Sequence, residues 1–170
     1  MIKQDTSENQ VRSIYLGIGS NLGNKKNNIE LAKFKLIQND VRITQISSYY
    51  ESLSWPNSNN PKFLNIVLKI TTSLSPIDLL KICKQIEISL GRKKRSKNSP
   101  RECDIDIIDF KNKKMKGHII LPHPRMHARN FVLLPLYELN KAWKHPMSKN
   151  HIKKLILSLP DRDIRSIKQI

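Results

Sequence analysis

The sequence predicts an α+β protein in which helices pack against an antiparallel sheet. Hydrophobic patterns typical of strands and of helices follow one another in the order strand-helix-strand-strand-helix-strand, with further helical segments after the last strand. The chain has 170 residues, of which 38% are hydrophobic and 26% charged. This length and composition suit one hydrophobic core and exclude an intrinsically disordered chain. We expect a flexible lead-in at residues 1–11 and a single domain at residues 12–170.

The first third of the chain alternates strands with one amphipathic helix. Residues 13–19 predict a short strand that ends in a glycine turn, and residues 25–38 predict a helix. Residues 41–50 are rich in β-branched and aromatic side chains and predict a second strand. The loop that follows, 51–62, is rich in Ser, Asn and Pro. The inner face of the helix is predicted to carry Ile29, Ala32, Leu36 and Ile37.

The next strand, residues 63–70, has two chemically different faces. The two-residue period of a strand places aliphatic side chains on one face and Phe63 and Asn65 on the other. Residues 75–78 then form a capping box with proline at the first helical position, which predicts a helix that stops at Gly91. The inner face of this helix is predicted to carry Leu79, Cys83, Ile86 and Leu90.

The last third of the chain predicts one more main strand and two helices. Residues 104–110 alternate acidic and aliphatic side chains and predict a strand, and a short strand is expected near 119–121. Helical spacing predicts a segment through Phe131 and Leu134 and a last helix at 148–159. The inner face of this last helix is predicted to carry Ile152, Leu155, Ile156 and Leu159.

The net charge of the chain is strongly positive. Against 14 acidic residues there are 31 basic ones, a balance of +17 that makes nucleic acid, anionic lipid and nucleotide phosphates candidate partners. Much of the excess is lysine spread along a chain that is also rich in Asn and Ile, the pattern of an AT-rich coding sequence. A solvated lysine surface is therefore favoured over a dedicated polyanion-binding face.

Cysteine usage and hydropathy bear on the compartment. Cys83 and Cys103 form neither a CxxC motif nor a metal-ligand spacing, which argues for a reducing compartment and against a disulfide scaffold or structural zinc. The N-terminal residues lack an apolar leader, and no apolar run approaches the length of a membrane span. We expect a cytoplasmic protein without a membrane partner.

Asp104 and Asp106 carry the sharpest functional signal. Alternate residues of a strand point to the same side, so both carboxylates reach one face of the sheet a few ångströms apart. Two like charges at that separation repel each other unless a cation lies between them. Magnesium binds through one or two carboxylates together with substrate phosphates. The pair alone is also compatible with a solvent-facing edge strand, but the basic stretch 92–101 just before it favours a phosphate site.

The other candidate residues give a weaker functional signal when each is considered alone. Arg101 lies three residues before Asp104, where a guanidinium can bind phosphate oxygens in a forked geometry. His123 lies in a Pro-His-Pro turn and would by itself more often be a turn residue than a catalyst. Asn65 beside Phe63 is the kind of pair that recognises a flat polar ring by hydrogen bonding and stacking, although an inert polar position is equally compatible.

Together these segments resemble the 6-hydroxymethyl-7,8-dihydropterin pyrophosphokinases of folate biosynthesis. The resemblance runs from Tyr15 to about Leu139. Each motif is weak alone, but their order and spacing together are specific. The matching segments are 16–23 (LGIGSNLG), 47–52 (SSYYES), 63–65 (FLN), 86–92, 100–107, 121–125 (LPHPR) and 129–133 (RNFVL).

The resemblance implies a ferredoxin-like fold, a monomer, and transfer of pyrophosphate from ATP to the pterin with release of AMP. It further implies two magnesium ions held by Asp104 and Asp106, and catalytic roles for Arg92 and Arg101. The pterin subsite it implies consists of Ser52, Leu53, Trp55, Phe63, Asn65 and Phe131. The ATP subsite it implies consists of Lys84, Glu87, Arg92, Arg101, Ile107, His123 and Arg129.

Some positions depart from the family pattern and keep alternatives open. Asn98 and Ser99 stand where the family usually has an aromatic residue and a glycine, and Lys84 stands where it often has glutamine. One alternative is therefore a decayed relative that binds ATP without turnover. Another is a small basic RNA-binding module, but few aromatic residues are present and the acidic pair would repel phosphate without a metal. We expect no nucleic-acid partner.

Overall fold

A computed structural model describes residues 13–93, 96 and 98–170. A sheet of six strands carries helices on both faces, which confirms the predicted α+β sandwich. The predicted lead-in at 1–11 lies outside the described residues. The elements are β1 (Ile14–Ser20), α1 (Lys25–Gln38), β2 (Arg42–Ile46), β3 (Tyr50–Ser52), β4 (Phe63–Thr71), α2 (Pro76–Ser89), β5 (Asp104–Phe110), a 3₁₀ turn (Met126–Ala128), α3 (Asn130–Leu139), α4 (Ile152–Leu157), α5 (Asp161–Ser166) and β6 (Lys168–Gln169).

The sheet is antiparallel throughout, with the order β5-β1-β4-β3-β6. Strand β2 also pairs with β4, beside the C-terminal half of β4, whereas β3 pairs with its N-terminal end. Strands β1 and β4 are therefore central, and β5 lies at one edge of the sheet beside β1. Their side chains alternate between two cores because successive residues of a strand point to opposite faces.

One core lies between the sheet and helices α1 and α2, and the other between the sheet and helices α3 and α4. Ile14, Leu16 and Ile18 of β1 face the first core, where Leu79 and Cys83 of α2 are fully buried. Tyr15 of β1 faces the second core. The second core also contains Val67, Ile108, Met126, Leu133, Leu136, Trp143 and Ile152.

The predicted strand at 41–50 is wrong as one element, because it is two strands separated at residues 47–49. The side chain of Ser47 causes the break. The amide of Val67 donates to Ser47 Oγ at 2.9 Å instead of to a backbone carbonyl, so the ladder with β4 is interrupted. The carboxylate of Glu138 then accepts hydrogen bonds from Ser48 N and from Tyr50 Oη, and this fixes the start of β3.

Three other predictions need correction. The short strand near 119–121 is only a single bridge between Met115 and Leu121. The helix predicted at 148–159 begins at Ile152, because His151 caps it by accepting a hydrogen bond at Nδ1 from the amide of Lys153. It is followed by α5 and β6, which were not predicted. Ile37 is 58% exposed, although the helical spacing placed it inward.

Apart from this residue, the predicted inner faces are buried, except that Leu90 and Ile156 are only partly so. Ile29, Ala32 and Leu36 of α1 lie in the first core. In α2, Ser75 Oγ caps the helix by accepting from Asp78 N, and Gly91 takes a positive φ just after its end, as the sequence indicated. Among the described residues, none of the helices has the length and apolar character to cross a membrane.

Asp109 is a buried carboxylate in the second half of β5, and its environment makes stability depend on pH. Its side chain is fully buried and accepts from Trp143 Nε1 and Asn112 N, each at 3.0 Å. Burial raises the pKa of Asp109 to about 6, although both hydrogen bonds oppose the shift. An acid with a raised pKa in the folded state holds its proton more tightly when folded, so folding is favoured at low pH.

We therefore expect the Asp109 contribution to stability to be present near pH 4 and to be lost as pH rises through about 6. The substitution Asp109→Asn removes this dependence. Relative to the wild type, its free energy of unfolding should rise by roughly 2 kcal/mol between pH 4.5 and 7.5. Urea unfolding of both proteins at the two pH values measures the difference. The same difference at both pH values would show that Asp109 does not titrate in this range.

Candidate active site

A cavity of about 340 Å³ opens at one end of the central strands, on the face of the sheet that carries α3. Three loops surround it. They are the loop 53–62 before β4, the basic loop 92–101 before β5 and the loop 122–129 before α3. Because β1, β4 and β5 are neighbours, residues at the ends of all three strands meet at its floor.

Glycine at position 19 leaves room on this floor. A Cβ atom there would lie 2.9 Å from Asn65 Oδ1 and 3.3 Å from the ring of Phe63. The first distance is shorter than real Cβ contacts, so any side chain at residue 19 would displace the amide. Gly19 pairs directly with Asn65 in the sheet, which explains the close approach. The glycine therefore keeps the amide and the aromatic ring accessible from the cavity.

Asn65 is held in one orientation by its neighbours. Its side chain is 5% exposed, and Nδ2 donates to Ser52 Oγ at 3.0 Å and to the Tyr50 carbonyl at 3.3 Å. Both partners lie on β3, which pairs with this end of β4. With Nδ2 engaged, Oδ1 is the atom on the Gly19 side, where it can accept a hydrogen bond from a ligand.

Asp104 and Asp106 point to the same face of β5 and line the cavity, as the strand period indicated. Asp104 accepts from Arg92 Nη1 at 2.7 Å and from Arg101 Nη2. Burial opposes ionisation of Asp104, but the two guanidinium groups outweigh it and lower the pKa below its ordinary value. Asp106 lies 3.4 Å from Arg129 Nη1 and 3.7 Å from His123 Nε2.

A buried glutamate supports these cations from behind. Glu87 on α2 is 1% exposed and accepts from Lys84 Nζ at 2.9 Å, from Arg92 Nη1 at 2.6 Å and from the backbone amide of Ile105 at 2.7 Å. Burial raises the pKa of Glu87, against the effect of Lys84. The amide of Ile105 fixes the carboxylate against β5, so Arg92 is held beside Asp104.

Each aromatic ring of the site has an arginine near its face. The guanidinium carbon of Arg101 lies 5.0 Å from the ring centroid of Phe63, and that of Arg129 lies 5.4 Å from Phe131. These distances are those of cation–π contacts. The cationic part and the aromatic part of the cavity are therefore continuous rather than separate.

The amide of Asn21, in the turn after β1, joins two of the surrounding loops. Its Nδ2 donates to Ser54 Oγ at 3.2 Å and to the Pro61 carbonyl at 3.0 Å. Its Oδ1 accepts from the amide of Arg101 at 2.8 Å, and its own amide donates to the Arg101 carbonyl at 3.1 Å. The side chain is 3% exposed, so these bonds form away from water.

The structure brings most of the predicted site residues together, but not all of them. Ser52 is buried behind Asn65, Glu87 is buried behind Arg92, and the side chain of Ile107 lies in the first core on the opposite face of the sheet. The roles predicted for these residues can therefore be only indirect or through the backbone. The predicted residues that line the cavity are Leu53, Trp55, Phe63, Asn65, Lys84, Arg92, Arg101, Asp104, Asp106, His123, Arg129 and Phe131.

Several lining residues were not assigned a role from the sequence. Gly17 and Gly19 were read as turn chemistry, and Arg125 was noted only as part of a motif. A glycine inside a predicted strand often marks a close approach of the backbone to another group, and this is the signal from which Gly19 could have been found. In the basic loop, residues 94, 95 and 97 lie outside the described part of the chain, so the predicted contribution of the stretch 92–101 to a phosphate site is not tested there.

The carboxylates of the cavity suit a magnesium ion that is bound jointly by the protein and the substrate. Among the described residues there is no cluster of three or more His, Cys, Asp or Glu side chains that could enclose a metal. Asp104 and Asp106 supply two carboxylates, which suits magnesium bound jointly with substrate phosphates. Arg101 Nε is buried and has no hydrogen-bond partner among the described residues, so this guanidinium retains a donor for an anion.

The chain is similar to known proteins over most of its length. The model of the family described as 7,8-dihydro-6-hydroxymethylpterin-pyrophosphokinase matches residues 15–141. The chain is 39% identical to the 2-amino-4-hydroxy-6-hydroxymethyldihydropteridine pyrophosphokinase of Aquifex aeolicus, over 83% of this chain and 88% of that protein. It is also 39% identical to the protein of the same name from Bacillus subtilis, over 74% of this chain and 76% of that protein.

Solved structures show the same fold at lower identity. The HPPK-DHPS of Plasmodium falciparum, in a structure with pterin and p-hydroxybenzoate, superposes with a TM-score of 0.72 at 16% identity. The similarity covers 93% of this chain and 46% of that chain, so this protein spans under half the length of the solved chain it matches.

Proposed function

The chain belongs to the 7,8-dihydro-6-hydroxymethylpterin-pyrophosphokinase family, and from this membership we propose that it transfers pyrophosphate from ATP to 6-hydroxymethyl-7,8-dihydropterin in folate biosynthesis. The observation that supports this most directly is the cavity itself. It combines a carboxylate pair and a group of cations with a buried amide acceptor and two phenylalanine rings. One part suits a metal-bound triphosphate, and the other suits a flat polar ring.

The pterin is proposed to lie at the floor, between Phe63 and Phe131. Asn65 Oδ1 accepts a hydrogen bond from the polar edge of the ring, and Ser52 fixes the amide in the required orientation. Leu53 and Trp55, on the loop over this end, supply backbone groups to the same edge. The Gly19 backbone leaves space for the ring to approach the amide closely.

ATP is proposed to occupy the cationic part of the cavity. Arg92 and Arg101 exchange the carboxylate of Asp104 for the phosphates. Glu87 stays bonded to Lys84 and Arg92, so both cations remain at the wall of the cavity during this exchange. His123 and Arg129, beside Asp106, bind from the opposite wall. Ile107, whose side chain is buried, can contribute only its backbone on the outer edge of β5.

Asp104 and Asp106 are proposed to hold two magnesium ions together with the phosphates of ATP. When bound, the metal neutralises phosphate charge and orients the triphosphate. The release of Arg92 and Arg101 from Asp104 frees the carboxylate for the metal and the cations for the phosphates. In the proposed complex the carboxylate of Asp104 would therefore pair with the metal, and the guanidinium groups of Arg92 and Arg101 would pair with the phosphates.

The reaction joins the pterin hydroxymethyl oxygen to the β-phosphorus of ATP and breaks the bond between that phosphorus and the oxygen that bridges to the α-phosphorus. AMP leaves with the bridging oxygen, and the hydroxyl proton is released. Arg92 and Arg101 stabilise the charge that develops on the transferred group, and the aromatic floor holds the nucleophile in line. Catalysis of this kind depends mainly on positioning and charge neutralisation.

Measurement of AMP release tests this proposal. Wild-type protein with ATP and magnesium should release AMP only when hydroxymethyl-dihydropterin is present, and removal of magnesium with EDTA should stop the reaction. Pterin-independent ATP hydrolysis, or ATP binding without AMP release, would instead support a decayed relative. The predictions of a monomer, a cytoplasmic location and no nucleic-acid partner stay predictions.

A further inference from the structure

A large aromatic side chain stands at the mouth of the cavity, outside both cores. Trp55, one of two tryptophans in the chain, is 60% exposed, whereas Trp143 is fully buried. Exposing an indole to water forfeits the free energy that its burial would gain. A single exposed hydrophobic residue needs no explanation by itself. Trp55 is of interest because it lines the cavity and because its surroundings hold it there.

The loop that carries Trp55 is fastened at both ends. Ser54, directly before it, donates from Oγ to the Pro61 carbonyl at 2.5 Å. Asn21 Nδ2 in turn donates to Ser54 Oγ and to the same Pro61 carbonyl. Lys25 Nζ donates to the carbonyl of Lys62 at 2.8 Å. The residue next to the indole is thus tied to the turn after β1, which limits how far Trp55 can move from the cavity.

The opposite loop provides a partner for the indole. The guanidinium carbon of Arg125 lies 5.6 Å from the Trp55 ring centroid, within the range of a cation–π contact. The backbone amide of Arg125 donates to His123 Nδ1 at 3.2 Å, so this loop is ordered next to the histidine that faces Asp106. The pair therefore spans the mouth of the cavity from the loop over the pterin end to the loop beside the phosphate end.

We propose that Trp55 and Arg125 form a clasp across the mouth of the site, in which Arg125 holds the Trp55 indole over the bound pterin. Trp55 contacts the substrate, and Arg125 is a positioning residue that acts through Trp55. This inference rests on the proposed function, because it specifies how that substrate is covered. The indole adds an apolar surface to the pterin subsite on the side that would otherwise face water.

Steady-state kinetics of substituted proteins test the clasp. Trp55→Ala should raise the KM for hydroxymethyl-dihydropterin about tenfold, the order expected for loss of one aromatic stacking contact. Arg125→Leu should raise it roughly threefold, as expected for one exposed cation–π contact. The double variant should be no worse than Trp55→Ala, since Arg125 acts through the indole. Trp55→Phe should restore most of the affinity.

The cation Lys93 offers a matched control for the charge of Arg125. Lys93 lines the same cavity, and in the described part of the chain no cation–π contact involves it. Lys93→Leu removes a positive charge without touching the indole, so the KM for the pterin should stay unchanged. An equal rise in the pterin KM for Lys93→Leu and Arg125→Leu would show a general charge effect and would overturn the role of Arg125.

Fluorine NMR gives a readout that loss of stability would not mimic. Protein labelled with 5-fluorotryptophan has two resonances, from Trp55 and Trp143, and Trp55→Phe removes one and so assigns both. Addition of hydroxymethyl-dihydropterin should shift the Trp55 resonance and reduce its solvent isotope shift, while the Trp143 resonance stays in place. An unshifted Trp55 resonance at saturating pterin would overturn the clasp.

The outcomes separate this inference from the proposed function. If the wild-type protein releases AMP with the pterin but Trp55→Ala has an unchanged pterin KM, the clasp is wrong and the function stands. If the wild-type protein shows no pterin-dependent AMP release, the proposed function fails and the clasp fails with it.

Discussion

Asp104→Asn and Asp106→Asn are each expected to lower kcat by about a thousandfold, since metal-held charge stabilisation contributes several kcal/mol to the barrier. Each change keeps the shape of the side chain and removes the charge that the metal needs. Because Asp104 also pairs with Arg92 and Arg101, its replacement removes one carboxylate partner from each of these two cations, although Arg92 keeps Glu87. The measurement is single-turnover AMP release at saturating ATP, magnesium and pterin.

A neighbouring residue controls for loss of an acidic group on the same strand. Asp109→Asn removes a carboxylate of β5 that is buried against Trp143 and does not line the cavity. This variant should keep near wild-type turnover at pH 7.5. If the two site variants retained turnover comparable with that of Asp109→Asn, Asp104 and Asp106 could not be the metal ligands.

Asn65→Ala is expected to weaken binding of the pterin far more than binding of ATP. A ligand group left without its hydrogen-bond partner in a buried site costs roughly 1–3 kcal/mol, which corresponds to a loss of affinity of about 5-fold to 150-fold. The acceptor Oδ1 is the atom proposed to bind the ligand, because Nδ2 is already bonded to β3. Calorimetric titration with each substrate measures the two affinities separately.

Two further variants check that this effect comes from the amide. Gly19→Ala leaves Asn65 intact but places a methyl group 2.9 Å from Oδ1, so it should weaken pterin binding in the same selective way. Ser52→Ala removes one of the two acceptors that orient the amide and should have a smaller effect. Equal losses of pterin and ATP affinity in Asn65→Ala would indicate a disturbed fold rather than a lost contact.

The elements predicted correctly are those whose cause is local. Alternation in β1, β4 and β5 and the capping box before α2 are properties of short stretches, and the structure has them close to the predicted bounds. The break between β2 and β3 depends instead on Ser47 bonding to Val67, and β6 exists because it pairs with β3. Partners twenty or more residues away leave no periodic signal in either segment.

The same distinction applies to the site. The two-residue period placed Asp104 and Asp106 on one face, and the resemblance supplied fewer than half of the other lining residues. The contact between Trp55 and Arg125 could not be predicted, because loop residues far apart in sequence meet only in the folded chain.

Asn98 shows another limit of prediction from the sequence. Its φ of +64° is one that asparagine adopts more readily than an aromatic residue, and this backbone conformation was not evident from the sequence.

The bonds of Asn21 have a consequence for how the protein tolerates sequence change. This one amide ties Ser54 and Pro61 on one loop and the backbone of Arg101 on another. A substitution at residue 21 therefore removes supports from two loops at once, although the residue itself does not line the cavity. The number of groups that a residue supports, rather than its distance from a ligand, therefore decides how well substitutions at position 21 are tolerated.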